Sequence, residues 1–174
     1  MKLCYEIPKY SASVKKISVM DHENKLWGVM QRYNPNKLLE SCRHISPNFV
    51  LNVLGHSQIS RDVYEVKLQN QFKAFVTTAS WTIYKNDEAI GTIKEKAIGR
   101  ALVIDVEGES IQAISKLSHL REVNFHTGHE ELAKSRRNLS FVQPTLEISI
   151  YIEKLSIDPF LFALFSFIHN NQSK

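Results

Sequence analysis

From Leu146 to Glu153 the chain alternates apolar and polar residues without a break. Leu146, Ile148, Ile150 and Ile152 fall on one side, and Glu147, Ser149, Tyr151 and Glu153 on the other. A period of two describes a strand with one buried face. Asp158-Pro159 then introduces the apolar run Phe160 to Ile168. Aspartate caps a helix, and proline suits its first position, where no N–H is needed. The predicted helix is apolar nearly all round, so it has to be enclosed.

Upstream, the pattern is written in short strands. Tyr64 to Gln69 alternates strictly, and Phe72 to Thr78 is rich in β-formers but less regular. Trp81-Thr82-Ile83-Tyr84 and Ala89-Ile90-Gly91-Thr92-Ile93-Lys94 flank Lys85-Asn86-Asp87-Glu88 and read as a hairpin, with Asn and Asp tolerating the turn. Ala101 to Val106 is a further strand, closed by Glu107-Gly108-Glu109. In the first third, Leu3–Ile7, Val14–Met20 and Lys25–Tyr33 read as strands, with Asp21 to Asn24 turning between the last two. Lys37 to His44 reads as one or two helical turns, and Phe49 to Leu54 as a strand ending at Gly55. Ile111, Ile114 and Leu117 make Ser110–Leu120 weakly helical. Glu130 to Asn138 runs from acids to bases, the order a helix dipole favours, or else is a charged hairpin loop.

Strands that curl round an all-apolar helix bury it on every side and leave no sheet edge exposed. The expected fold is therefore mainly β (α+β), a closed antiparallel β-barrel around a hydrophobic C-terminal helix, as one domain spanning residues 1–174. The hairpin Trp81 to Lys96, with its tryptophan strand and basic exit, and the terminal Leu146 to Ile168 make the chain resemble the tubby C-terminal-like superfamily, which includes the LURP-one-related proteins and phospholipid scramblases. The resemblance implies a barrel of about twelve strands and a binding module, since tubby itself is a phosphoinositide-tethered domain and scramblases act at membranes. No stretch matches the lipid-contacting part of the tubby pattern. The Cys-rich tract and acidic calcium loop of the scramblases are missing.

Composition adds little. The 174 residues suit one core, and 22 Lys+Arg against 18 Asp+Glu give +4, a mild bias toward phosphate-bearing partners. Cys4 and Cys42 have no metal-type spacing, and Met1 to Glu6 has no apolar segment of the export type, so the chain is expected in the cytoplasm with reduced thiols. Peripheral membrane association is left open. Phe160–Ile168 is short of the ~20 residues of a span, which favours a core helix over an interfacial anchor or a crossing.

The chemistry-bearing motifs are weak. His126 and His129 beside Glu130 and Glu131 lack a third ligand of suitable spacing and the His-Glu-x-x-His order. Asp105 and Glu107 fall on the solvated side of a strand, opposite Leu102, Ile104 and Val106. No nucleophile elbow, Cys-His pair or glycine-rich phosphate loop is present, so neither catalysis nor a cofactor is expected. Two basic groups remain: Lys94, Lys96 and Arg100, and Lys134, Arg136 and Arg137. If the barrel gathers them, they form a candidate site for an anionic headgroup. The expectation is a non-catalytic module for anionic phospholipid or a membrane surface, with a protein-interaction domain that binds no lipid as the alternative. Nucleic acid is disfavoured, because basic residues are not interleaved with exposed aromatics.

Overall fold

The computed structural model describes residues 1–9, 13–34, 52–69, 78–96, 101–115, 121–138, 143–151 and 156–172. Twelve strands and one helix lie within them: β1 (Lys2–Glu6), β2 (Ile17–Asp21), β3 (Leu26–Tyr33), β4 (Asn52–Ser57), β5 (Val63–Gln69), β6 (Ser80–Lys85), β7 (Glu88–Glu95), β8 (Ala101–Val106), β9 (Glu109–Ile114), β10 (Glu122–Thr127), β11 (Glu130–Asn138), β12 (Thr145–Ile150) and α1 (Phe160–Gln172). Each strand pairs antiparallel with its sequence neighbour, and β1 pairs with β12 from Lys2↔Ser149 to Glu6↔Thr145, closing the barrel.

α1 runs through the middle. Phe160, Leu161, Phe162, Ala163, Leu164, Phe165 and Ile168 are fully buried, so the helix has no solvated side, as its composition requires. Aromatic rings line its course. Phe162 meets Phe125 edge-on at 5.4 Å and Phe165 at 6.1 Å, while Tyr64 faces Phe160 and Tyr5 faces Phe167. Each enclosed phenylalanine contributes roughly 2–3 kcal/mol of transfer free energy. The wall touches the helix most closely at two glycines. A Cβ on Gly55 would lie 2.8 Å from Phe160 Cε1 and 3.0 Å from Leu164, and one on Gly28 would collide with the Phe160 ring and the His56 carbonyl.

The helix start is built as its residues dictate. Asp158 Oδ1 accepts the Phe160 N–H at 2.9 Å, and Asp158 Oδ2 accepts from Ser60 Oγ at 2.7 Å and Tyr64 OH at 3.3 Å. The cap therefore also fastens the helix to the β4–β5 turn.

Among the described residues, no helix is long and apolar enough to cross a membrane. The barrel packs its interior with apolar side chains and turns Glu, Lys, Gln and Ser outward. That is the inverse of a membrane-spanning barrel, whose lipid-facing side is apolar.

The hairpin at Asn86-Asp87 stands as expected, both residues having positive φ (50° and 70°), the geometry of a two-residue turn with Lys85 paired to Glu88. Three expectations are corrected. Residues 110–114 are strand rather than helix, belonging to β9: Ile111 and Ala113 point inward, Ser110 and Gln112 outward, and the tight Glu107-Gly108 turn folds them back on β8. Glu130–Asn138 is neither helix nor loop but β11. Its inward positions are Ala133, Ser135 and Arg137, and a bulge leaves Leu132 unpaired between Glu131 and Ala133, so no apolar period of two survives in the sequence. β4 continues through Gly55 to Ser57 instead of ending at the glycine. Lys37–His44, residues 49–51, 72–77 and 116–120, and Ile152–Glu153 lie outside the described residues.

Candidate functional site

Antiparallel pairing sends the strand ends to two rims, and the charges divide between them. Among the described residues, the rim where α1 begins carries Asp21 and Glu23, Asp62, Asp87 and Glu88, Glu107 and Glu109, and Glu130 and Glu131, against Lys2, Lys25, Arg61, Lys85 and the Met1 ammonium. At the rim where α1 ends, longer connections are flanked by Lys9, Lys15 and Lys16, Lys94 and Lys96, Arg121, and Arg136 and Arg137, against Glu6, Glu95, Glu122 and Glu147. This order complements the helix dipole, whose N-terminus is the positive end and C-terminus the negative end. Each rim thus carries side chains of the sign opposite to the helix end it surrounds.

Of the residues expected to form a headgroup site, Lys94 and Lys96 and, separately, Arg136 and Arg137 occupy the basic rim, while Lys134 lies midway along β11. Lys94 and Lys96 leave β7 exposed, with Lys96 Nζ 3.4 Å from Gln112 Oε1. Lys134, Arg136 and Arg137 lie on β11, and β8, β9 and β10 intervene. Four strand spacings amount to ~19 Å along the wall, too far for one headgroup to bridge. Arg100 lies outside the described residues. Lys134 is already engaged: its ammonium is 2.8 Å from Glu122, whose hydrogen bond holds it above the usual lysine range against some desolvation. Arg136 is 72% exposed, with Nε 3.6 Å from the same carboxylate.

A more compact arrangement appears beside β11. Arg137 N–H donates to the Arg121 carbonyl at 2.8 Å, setting the two residues side by side. Arg121 and Arg137 continue the inward-facing columns of β10 and β11 past the apolar core, where a long cationic side chain can reach water. Arg136 and its register partner Glu147 face outward. Arg121, Arg136, Arg137, Asn138 and Glu147 line a shallow pocket of ≈ 300 Å³. Arg137 Nε is buried and has no acceptor among the described residues, an arrangement that carries a desolvation cost. Below it, Arg137 borders a cavity of ≈ 20 Å³ with Tyr5, Ile7, Pro8, Phe167, Asn170 and Asn171. Burial pushes the Tyr5 hydroxyl far above its ordinary range, with Arg137 pulling weakly the other way.

Three guanidinium groups around one carboxylate can hold an anion through paired N–H donors. They cannot relay protons, because arginine keeps its charge throughout the accessible pH range. Arg121 escapes notice in the sequence, sixteen residues from Arg137 and in no basic cluster. Only the β10–β11 register brings the two together.

The other sequence candidates are dispersed. His126 lies one residue before the end of β10 and His129 lies exposed in the following turn, and no cluster of three or more metal-ligating side chains occurs among the described residues. Asp105 and Glu107 are exposed, opposite buried Leu102, Ile104 and Val106, with Ser110 Oγ donating to Asp105 at 2.7 Å and Lys85 bonded to Glu107 at 3.3 Å.

The family model described as Tubby C-terminal like domain matches residues 3–170, nearly the whole barrel with its helix. No curated protein and no solved structure matches the chain.

Proposed function

The chain belongs to the tubby C-terminal-like domain family, and from that premise we propose a non-catalytic module that recognises an anionic phospholipid headgroup with its basic rim. Family membership supports a binding domain in general. The lipid reading rests on the arginine pocket, where Arg121, Arg136 and Arg137 line a space open to solvent. Lys94 and Lys96 add long-range attraction from the same rim. On this reading the protein is cytoplasmic and peripheral to the membrane, and it needs no cofactor.

Co-sedimentation with anionic and neutral vesicles tests the proposal. Binding to anionic vesicles alone is expected, weakening as salt rises, with the Arg121→Gln/Arg136→Gln double variant reduced roughly 30-fold at ~1 kcal/mol per basic residue. Failure to bind anionic vesicles at any ionic strength would remove it.

A second reading has its own observation. Leu26 (40% exposed), Ile59 (49%) and Tyr151 (53%) all lie on the acidic rim, and exposed apolar side chains among carboxylates suit a basic protein partner. Recovery of one stoichiometric partner, lost in Ile59→Ser/Tyr151→Ser and accompanied by no vesicle binding, would favour this reading. Nucleic acid fits less well, because the most exposed aromatic among the described residues, Tyr151, is on the rim opposite the arginines.

A further inference from the structure

The ladder between β1 and β2 stops short of the basic rim. Its register runs Leu3↔Asp21, Cys4↔Met20 and Tyr5↔Val19 and ends there, although both strands continue. Glu6 stays paired with Thr145, and the Ile7 N–H donates to the Pro144 carbonyl at 2.8 Å. Ile17 and Ser18 stay paired with Met30 and Val29 on the other side. The two edges are pulled toward opposite neighbours, and a cleft of ≈ 530 Å³ opens between them, within the range of small-ligand sites.

The cleft has two kinds of lining. Lys9, Lys15 and Lys16 surround it and are exposed. Among the described residues, none of the three has a carboxylate at ion-pair distance, which is equally true of Lys94 and Lys96 on the same rim, whereas Lys67, Lys85, Lys134 and Arg136 each have one. Unpaired ammonium groups on flexible stems suit a phosphate approached from several directions. Ile7, Pro8 and Met20 supply a half-exposed apolar floor, which a free phosphate would leave unused. Glu6 also lines the cleft. A carboxylate there disfavours a doubly charged phosphate monoester and accepts a hydrogen bond from a hydroxyl.

We infer that the β1–β2 cleft is a second lipid site, in which Lys9, Lys15 and Lys16 hold the phosphodiester of a hydroxyl-bearing phospholipid. Its headgroup hydroxyl donates to Glu6, and its glycerol and first acyl carbons lie on Ile7, Pro8 and Met20. This inference rests on the membrane reading above and adds a site that the arginine pocket does not require.

The test uses phosphatidylcholine vesicles doped with phosphatidylglycerol. The Lys9→Gln/Lys15→Gln/Lys16→Gln variant is expected to lose roughly 100-fold in partitioning, at about fivefold per lysine, with its thermal midpoint unchanged. Met20→Ser should lose several-fold on vesicles while leaving the amide shifts of residues 13–18 with soluble glycerophosphoglycerol, the phosphodiester headgroup without its acyl chains, as in the wild type. If the triple variant partitions like the wild type while Arg121→Gln/Arg136→Gln does not, the cleft is excluded and the arginine rim stands. If the wild type ignores the vesicles but soluble glycerophosphoglycerol saturates those shifts, the ligand is a free phosphodiester and the lipid assignment is wrong. If neither probe binds, both sites fall together.

Discussion

Asp158 shows how much one side chain can hold. It caps α1 and also ties the helix start to Ser60 and Tyr64. Asp158→Ala should lower stability in urea denaturation by about 1–2 kcal/mol, and Asp158→Asn, which keeps a capping oxygen, by less. This role was legible because capping is local and Pro159 marks the next position. Arg137 was legible only as a charge. That it faces inward depends on the alternation of β11, which the bulge at Leu132 conceals. Asp62 gives a pH prediction. The Asn86 amide, with help from Ser60 and Lys85, holds its carboxyl below the usual 3.8. A depressed folded value means the contribution is fully present above that pH and is lost as pH falls through the lower folded value. Thermal midpoints measured in acid should therefore drop below about pH 4, and Asp62→Asn should flatten part of that drop.

At the scale of elements, α1 is seated against β3 and β4 because Gly28 and Gly55 have no side chain to hold it away. Gly55→Ala should destabilise by about 1–3 kcal/mol, since its Cβ would press on both Phe160 and Leu164. Combining it with Phe160→Leu should give a non-additive double-mutant cycle if that collision is the cause. The sequence showed the hairpin, β12 and α1 plainly, because each has a strong period and correct end signals. It hid β9 and β11, whose inward positions include Ala113, Ala133 and Ser135. Small and polar side chains fit where a wall meets a thick helix, and they weaken the apolar signal of the strands that carry them. The same loss of contrast made Gly55 read as a strand end, although it is a contact point.

For the whole molecule, closure was legible from one inference, that an all-round apolar helix needs an all-round wall. The charge polarity was not, because strand register decides which turns share a rim, and register is set by pairings far apart in sequence. The wall and the plug also depend on each other, since the inward side chains of the strands and those of α1 form one buried cluster. A chain ending at residue 155 should lose its cooperative thermal transition and its near-ultraviolet circular dichroism, retaining at most the loosely packed character of a collapsed state.

The separation of charge along the barrel axis makes the protein an electric dipole, and a dipole turns before it lands. Near an anionic surface the field applies a torque that swings the Lys/Arg end forward, so approaches begun at many angles finish upright. The footprint would then be a ring of connections instead of a side wall, with Leu26, Ile59 and Tyr151 held about 20 Å out in solvent by the height of the strands. One end would read the surface while the other stayed free to be read by something else.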